Sequence, residues 1–232
     1  MKIIKNEKLI KRNDTIGKAT SIVGLAVLVG GMFISWQKPE LFNYAILSLL
    51  AGFILTQVSI YMGNRFGRSP RPDETLDASL KGLPGDFTIY HYMTPVSHLI
   101  VGPAGLWIIM PIRQNGVVTY SKNRWKMSGG GFMQGYMRLF GQEGIGRPDL
   151  EAEGQISSLQ KELAKRLESE NVPPIQSVLV FTGEQVEVNV EDTPLPAVKV
   201  KQLKDFFRQK AKERNINLTD LEKIKSILPA EA

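Results

Sequence analysis

Two uninterrupted apolar runs set the first limit on this chain: residues 19–36 carry no charge over 18 positions, and residues 41–63 carry none over 23. A helix needs about 20 apolar residues to cross a hydrocarbon core of roughly 30 Å, so each run is long enough to span a bilayer. Only Gln37-Lys38-Pro39-Glu40 separates them. So short a link forces an antiparallel hairpin, and Pro39 suits the first turn of the second helix, where its missing N–H has no intrahelical partner. Trp36, Phe42 and Tyr44 fall at one end and Tyr61 at the other, as expected of aromatic side chains at a membrane–water boundary. A cleavable leader fits less well, because its apolar core of about 7–15 residues ends in a small-residue cleavage site. Here a second, longer apolar run follows instead. Ala26 with Gly30 and Ser48 with Gly52 are small-residue pairs that permit close helix packing.

Lysine and arginine orient the hairpin. Lys2, Lys5, Lys8, Lys11 and Arg12 precede it and Arg65, Arg68 and Arg71 follow it, whereas the tip holds only Lys38. The positive-inside rule then places both termini in the cytoplasm of a two-pass inner- or plasma-membrane protein. On that side the Asn217-Leu218-Thr219 sequon is a chance match. The expected organisation is a basic N-terminus over 1–15, a transmembrane hairpin over 16–63 with helices near 16–36 and 41–63, and a linker over 64–73. A cytosolic domain over 74–214 and a C-terminal helix within 215–232 complete it.

Composition narrows the chemistry. The absence of cysteine excludes disulfides, cysteine zinc sites and thiol catalysis, and two histidines, His91 and His98, exclude a multi-histidine metal site. Of the net charge of +6, residues 1–64 supply +4 (seven basic, three acidic) and residues 65–232 only +2 (22 basic, 20 acidic). The sequence pI of 9.4 therefore reflects membrane-flank charge, which favours anionic headgroups. Within the cytosolic part, Arg113, Lys122, Arg124, Lys126, Arg138 and Arg147 face only Glu143 across 113–147, a basic stretch able to follow a phosphate backbone. A second basic stretch covers 199–214, and ten acids lie between the two over 148–192.

After Pro70 and Pro72, Asp73 is a natural N-cap for a helix that puts Leu76, Leu80 and Leu83 on one face. Strands are expected at 87–92, 96–101 and 106–112, with a turn at Gly102-Pro-Ala-Gly105. The continuous apolar run at 106–112 fits a strand buried on both faces, with Pro111 marking a bulge or edge. A hairpin at 117–120 and 124–127, a helix at 150–169, strands at 178–181, 186–190 and 197–200, a helix at 201–214 and a last helix opened by a Thr219–Glu222 capping box complete an α/β (α+β) pattern. Phe132, Tyr136 and Phe140 are spaced four apart, giving an apolar helical face that packs on the domain's own core or lies on the bilayer with Arg138 and Arg147 near headgroups. The glycine run 141–146 lacks the preceding strand and following Lys-Ser/Thr of a phosphate loop, and reads as linker.

The stretch Ser97-His-Leu-Ile-Val-Gly-Pro-Ala-Gly-Leu-Trp-Ile-Ile109 resembles the central motif of the nuclease-related domain (NERD) family, a branch of the PD-(D/E)XK endonuclease-like superfamily. That motif runs Asp-His, an apolar strand, Gly-Pro-x-Gly, a second apolar strand and Glu-x-Lys. Lys81-Gly82-Leu83, Gly116, Tyr120, Trp125 and Gln155 add to a likeness covering about 74–208. The resemblance implies a restriction-endonuclease-like domain with a mixed central sheet. Its catalytic Asp, Glu and Lys positions hold Ser97, Met110 and Ile112.

Such nucleases hold Mg²⁺ between carboxylates, and the ion activates water and offsets charge on the scissile phosphate. Serine offers one neutral oxygen, methionine a soft thioether unsuited to a hard cation, and isoleucine nothing. Asp77, from the preceding helix, and Asp86 are the weak substitutes, and His98 keeps the family's position after the lost acid. The expected protein is therefore a membrane-anchored NERD-like module that binds nucleic acid or a cytosolic or membrane protein without catalysis and without a cofactor. The alternatives are an Mg²⁺-dependent nuclease with relocated acids and a structural membrane component bound to a protein partner.

Overall fold

A computed structural model describes residues 1–129, 145–167, 173–213 and 218–230. The chain forms two compact units, one of Glu7–Glu74 and one that joins Met1–Asn6 to Thr75–Ala232.

The first unit is the helical hairpin: α1 (Glu7–Gln37), a 3₁₀ turn over Pro39–Leu41, α2 (Phe42–Met62) and a π turn over Gly63–Gly67. Both long helices have the length and apolar character needed to cross a membrane. Their large side chains, among them Ile22, Leu25, Met32, Phe33, Leu47 and Phe53, point outward, while the buried positions include Gly17, Gly24 and Gly31 on α1 and Gly52 on α2. Glycines seven apart keep to one stripe of a helix, which lets the partner backbone approach along the whole seam. A Cβ at Gly31 would lie 1.7 Å from Ser48 Oγ, and one at Gly52 would lie 2.5 Å from Leu28 Cδ2. Near the open end, the Ser59 hydroxyl donates to the Gly17 carbonyl at 2.9 Å. Ser48 and Gly52 thus lie in the seam as their spacing suggests, but Ala26 and Gly30 are exposed on the outside. The first helix also starts at Glu7, well before the apolar run, because the charged residues ahead of that run continue the same helix.

Among the described residues the second unit contains nine strands: β1 (Lys2–Lys5), β2 (Thr88–His91), β3 (His98–Gly102), β4 (Gly105–Ile112), β5 (Gly116–Ser121), β6 (Arg124–Ser128), β7 (Ile175–Phe181), β8 (Val186–Asn189) and β9 (Ala197–Lys199). Six form a mixed sheet in the order β1-β2-β3-β4-β7-β9, antiparallel from β2 to β4 and parallel elsewhere. The rest form a separate three-stranded sheet, β6-β5-β8. Among the described residues four helices accompany them: α3 (Pro72–Leu80), α4 (Pro148–Ala164), α5 (Leu203–Glu213) and α6 (Leu218–Ile227).

The edge strand β1 comes from the segment expected to be a basic tail. Lys2 registers with Thr88 and Lys5 with His91, in parallel, and Ile4 enters the core. Four residues with lysine at both ends carry too little pattern to read as a strand.

As its composition predicts, β4 is buried on both faces. Leu106, Ile108 and Met110 join Leu99, Val101, Leu179 and Phe181 in a cluster covered by α4, α6 and the small sheet, through Leu159, Leu163, Leu221, Ile224, Val118 and Trp125. On the opposite face Trp107 and Ile109 join Ile89, Ile100, Val178 and Val180 beneath Leu76 and Leu80 of α3 and Leu203 and Phe207 of α5. The β3–β4 turn needs its glycines: a Cβ at Gly102 would fall 2.3 Å from the Phe87 ring, and Gly105 has a φ of 104°. Pro111 sits where β4 has run past its β3 partner, whose register ends at Leu99↔Ile108, so its missing N–H breaks no ladder on that side. α3 starts at Pro72, so Asp73 falls within its first turn rather than ahead of it, and the Glu74 carboxylate accepts the Arg71 backbone N–H at 2.9 Å. Asp73 is fully buried and held by the Arg71 guanidinium at 3.0 Å, a hydrogen bond that pushes the arginine above its ordinary range.

Candidate functional site

The three positions of the nuclease-like motif meet different fates. Met110 is 6% exposed and forms part of the apolar cluster, and Ile112, half-buried, packs against the same cluster. Ser97 lies just before β3, half-buried, with its carbonyl accepting the Tyr92 N–H at 2.8 Å. Burying a carboxylate at position 110 would require a partner of opposite charge, and the cluster that Met110 joins is apolar. These donors do not fit Mg²⁺, which demands hard oxygen ligands in octahedral array.

The proposed substitutes lie elsewhere. Asp77 projects from α3, the helix covering the face of Trp107 and Ile109, so the sheet itself separates it from Met110. Asp86 is exposed in the link before β2, and its carbonyl oxygen accepts from Lys225. Burial lowers the affinity of the Lys225 ammonium for its proton, partly offset by the charge of Asp86. Among the described residues no group of three His, Cys, Asp or Glu side chains is arranged to hold a metal ion.

Asp77 instead heads a buried polar chain. One carboxylate oxygen pairs with Lys5 of β1, and the other contacts His91 Nε2 at 2.9 Å. His91 Nδ1 in turn meets His98 Nδ1 at 2.8 Å, and the edge of the Tyr92 ring packs on His98. Both imidazoles are almost sealed from solvent, at 0% and 2% exposure. The carboxylate can only accept, so the His91 proton is assigned to Nε2; a neutral His91 then accepts at Nδ1, and His98 supplies its Nδ1–H. This acid–imidazole–imidazole order is that of a proton relay; its histidines are buried, its Asp77 and Lys5 end is partly exposed, and the chain links β1, α3, β2 and β3. Sequence reasoning used Lys5 only to orient the hairpin and His91 only to exclude metal. The antiparallel register that sets His91 opposite His98 was the available signal, since cross-strand partners share a face.

The basic candidates are partly gathered. Lys122 is in the β5–β6 turn, where it and Asn123 have φ of 52° and 56°, as a two-residue hairpin of this hand requires. Arg124 and Lys126 alternate with buried Trp125 and so share the outer face of the small sheet, opposite Ser121 and Thr119. Arg113 is exposed in the β4–β5 link. Arg147 precedes α4 and pairs with Asp149 at 3.1 Å. Arg138, the Phe132–Tyr136–Phe140 face and residues 141–144 of the glycine run lie outside the described residues.

No family model, curated protein or solved structure matches the chain.

Proposed function

We propose that this protein is a two-pass membrane protein whose cytosolic NERD-like domain binds a polyanion, nucleic acid foremost, without cleaving it. The observation that carries the non-catalytic part is the place of Met110: the position where the resembled nucleases keep a metal-binding carboxylate is a packed core position. Asp77 is already committed to Lys5 and His91 on the other face of the sheet, which argues against relocated acids.

Membrane placement draws support from the exposed apolar side chains of α1 and α2, whose cost in water a bilayer would remove. Residues on both flanks of the hairpin belong to one folded unit, which supports a reading with both flanks on one side. The lysine and arginine count assigns that side to the cytoplasm. The binding surface is the outer face of the β5–β6 hairpin, with Lys122, Arg124 and Lys126 exposed on it.

The full chain in lipid nanodiscs, incubated with Mn²⁺ or Mg²⁺ and with single- and double-stranded DNA and RNA, tests the reading. Intact nucleic acid, retarded at low salt and released as ionic strength rises, is the expected result. Arg124→Glu with Lys126→Glu should weaken retention. Metal-dependent cleavage would overturn the non-catalytic assignment, and salt-independent absence of retention would redirect the binding role to a protein partner.

A further inference from the structure

The segment 199–213 carries charge that the proposed binding surface does not use. Six of its residues are basic and two, Asp205 and Glu213, are acidic. α5 buries Leu203 and Phe207 against the sheet, beside Phe87 and Trp107, while Lys204, Arg208 and Lys212, spaced four apart, follow one another along a single stripe. Lys201, Arg208 and Lys212 are exposed and Lys204 is half-buried. The Arg208 guanidinium also donates to the Gly82 carbonyl at 3.3 Å, in the turn that ends α3, so the exposed Lys81, one residue earlier, lies beside the same surface. Two ion pairs take up part of the charge, Arg208 with Asp205 at 3.5 Å and Lys210 with Glu213 at 2.6 Å. Among the described residues Lys81, Lys201, Lys204 and Lys212 have no acidic partner.

We propose that this basic surface of α5 and Lys81 docks on anionic phospholipid headgroups of the membrane that holds the helical hairpin, an inference that rests on the two-pass reading. A cluster of lysines and arginines on a helix beside a membrane anchor is the pattern of electrostatic attachment to a negatively charged leaflet. The large apolar side chains of α5 are committed to the sheet, so the helix cannot lay them into the acyl region as an interfacial helix does. The attachment is therefore one of charge, and ionic strength controls it. Two observations favour lipid over nucleic acid here. Lys122, Arg124 and Lys126 belong to the small sheet, which covers the Met110 face of the large sheet, whereas α5 covers the Trp107 face. A nucleic acid held on the β5–β6 hairpin thus leaves α5 free. In addition α3, which shares the Trp107 face with α5, follows the π turn of the second apolar helix after only four residues, Arg68–Arg71.

Amine acetylation of the full chain in lipid nanodiscs, followed lysine by lysine with mass spectrometry, tests the surface. Discs of phosphatidylcholine alone are compared with discs that also contain phosphatidylserine. In the anionic discs labelling of Lys81, Lys201, Lys204 and Lys212 should slow roughly threefold or more and recover at high salt, while Lys122 and Lys126 keep their rates. Lys201→Glu with Lys212→Glu, both at exposed positions, should abolish the lipid dependence at Lys81 and Lys204. Unchanged wild-type labelling of these lysines between the two discs overturns the proposal, as does equal slowing at Lys122 and Lys126, which is a bulk effect of membrane charge. A lipid response at Lys81 that survives the double substitution overturns it as well. Slowing by duplex DNA in neutral discs, with none by phosphatidylserine, assigns the surface to nucleic acid and overturns docking on lipid. Exclusion of the chain from the discs overturns the two-pass reading together with this one, whereas insertion without the lysine response overturns this one alone.

Discussion

Met110 stands opposite Leu179 in the parallel β4–β7 ladder, and the two side chains share one apolar cluster. Placing a carboxylate there should therefore damage the fold before it supplies any chemistry. Met110→Glu is expected to lower stability by about 3 kcal/mol or more, and the near-isosteric Met110→Leu by less than about 1.5 kcal/mol. Denaturant titration of the full chain in detergent micelles measures both. A Met110→Glu protein as stable as the parent would mean that position 110 reaches water.

Gly31 and Gly30 are adjacent in sequence and opposite in consequence. Gly31→Ala places a methyl 2.8 Å from Ser48 Cβ, whereas a Cβ at Gly30 meets nothing within 4 Å. The first substitution should cost the hairpin about 1–3 kcal/mol by overpacking, and the second should be neutral or slightly favourable, since alanine is the better helix former. Thermal melting of the two variants side by side in the same detergent decides the matter; equal melting points would contradict the seam.

Tyr90 is buried, and that burial raises its proton affinity above the ordinary phenol range. An unfolded tyrosine ionises near pH 10, so above that pH the unfolded chain binds fewer protons than the folded one. The stability associated with neutral Tyr90 is present below about pH 10 and is lost as pH rises toward the folded-state value. Tyr90→Phe removes this ionisation. Between pH 8.5 and pH 11 wild type should lose more stability than the variant, read from denaturation midpoints across the range.

A fragment beginning at residue 72 lacks β1 and leaves β2 as an open sheet edge. It should be less stable than the full chain and prone to self-association through that edge. Light scattering and size-exclusion chromatography over a concentration series would reveal this, and a monodisperse monomeric fragment would show that β1 is dispensable.

Much of this architecture was legible because its signals are strong and local. The charge-free runs identify the two long helices, Gly102-Pro-Ala-Gly105 marks the β3–β4 turn, and the leucines at 76, 80, 159 and 163 fall on buried helix faces as their spacing requires. The parts that were missed depend on partners distant in sequence. Nothing in Lys2–Lys5 announces a strand until Thr88–His91 is placed beside it, and the seam glycines at 17, 24 and 31 stand out only when α2 is set against them. For the candidate site, residue identity alone showed that positions 97 and 110 hold no acid. The opposition of Asp77 and Met110 across the sheet was not legible, because which face a helix covers is decided by the packing of the whole layer.

The hairpin has one more consequence, for how the sheet is completed. Lys2 must find Thr88 across more than eighty intervening residues, a closure whose entropic cost would weigh on any floppy connection. Here most of that stretch is zipped into two antiparallel rods, with Gly31 against Ser48 at the tip and Gly17 against Met62 at the base. Pairing of the rods brings Gly17 and Met62 together, so the loop that β1 must close is effectively far shorter than its residue count.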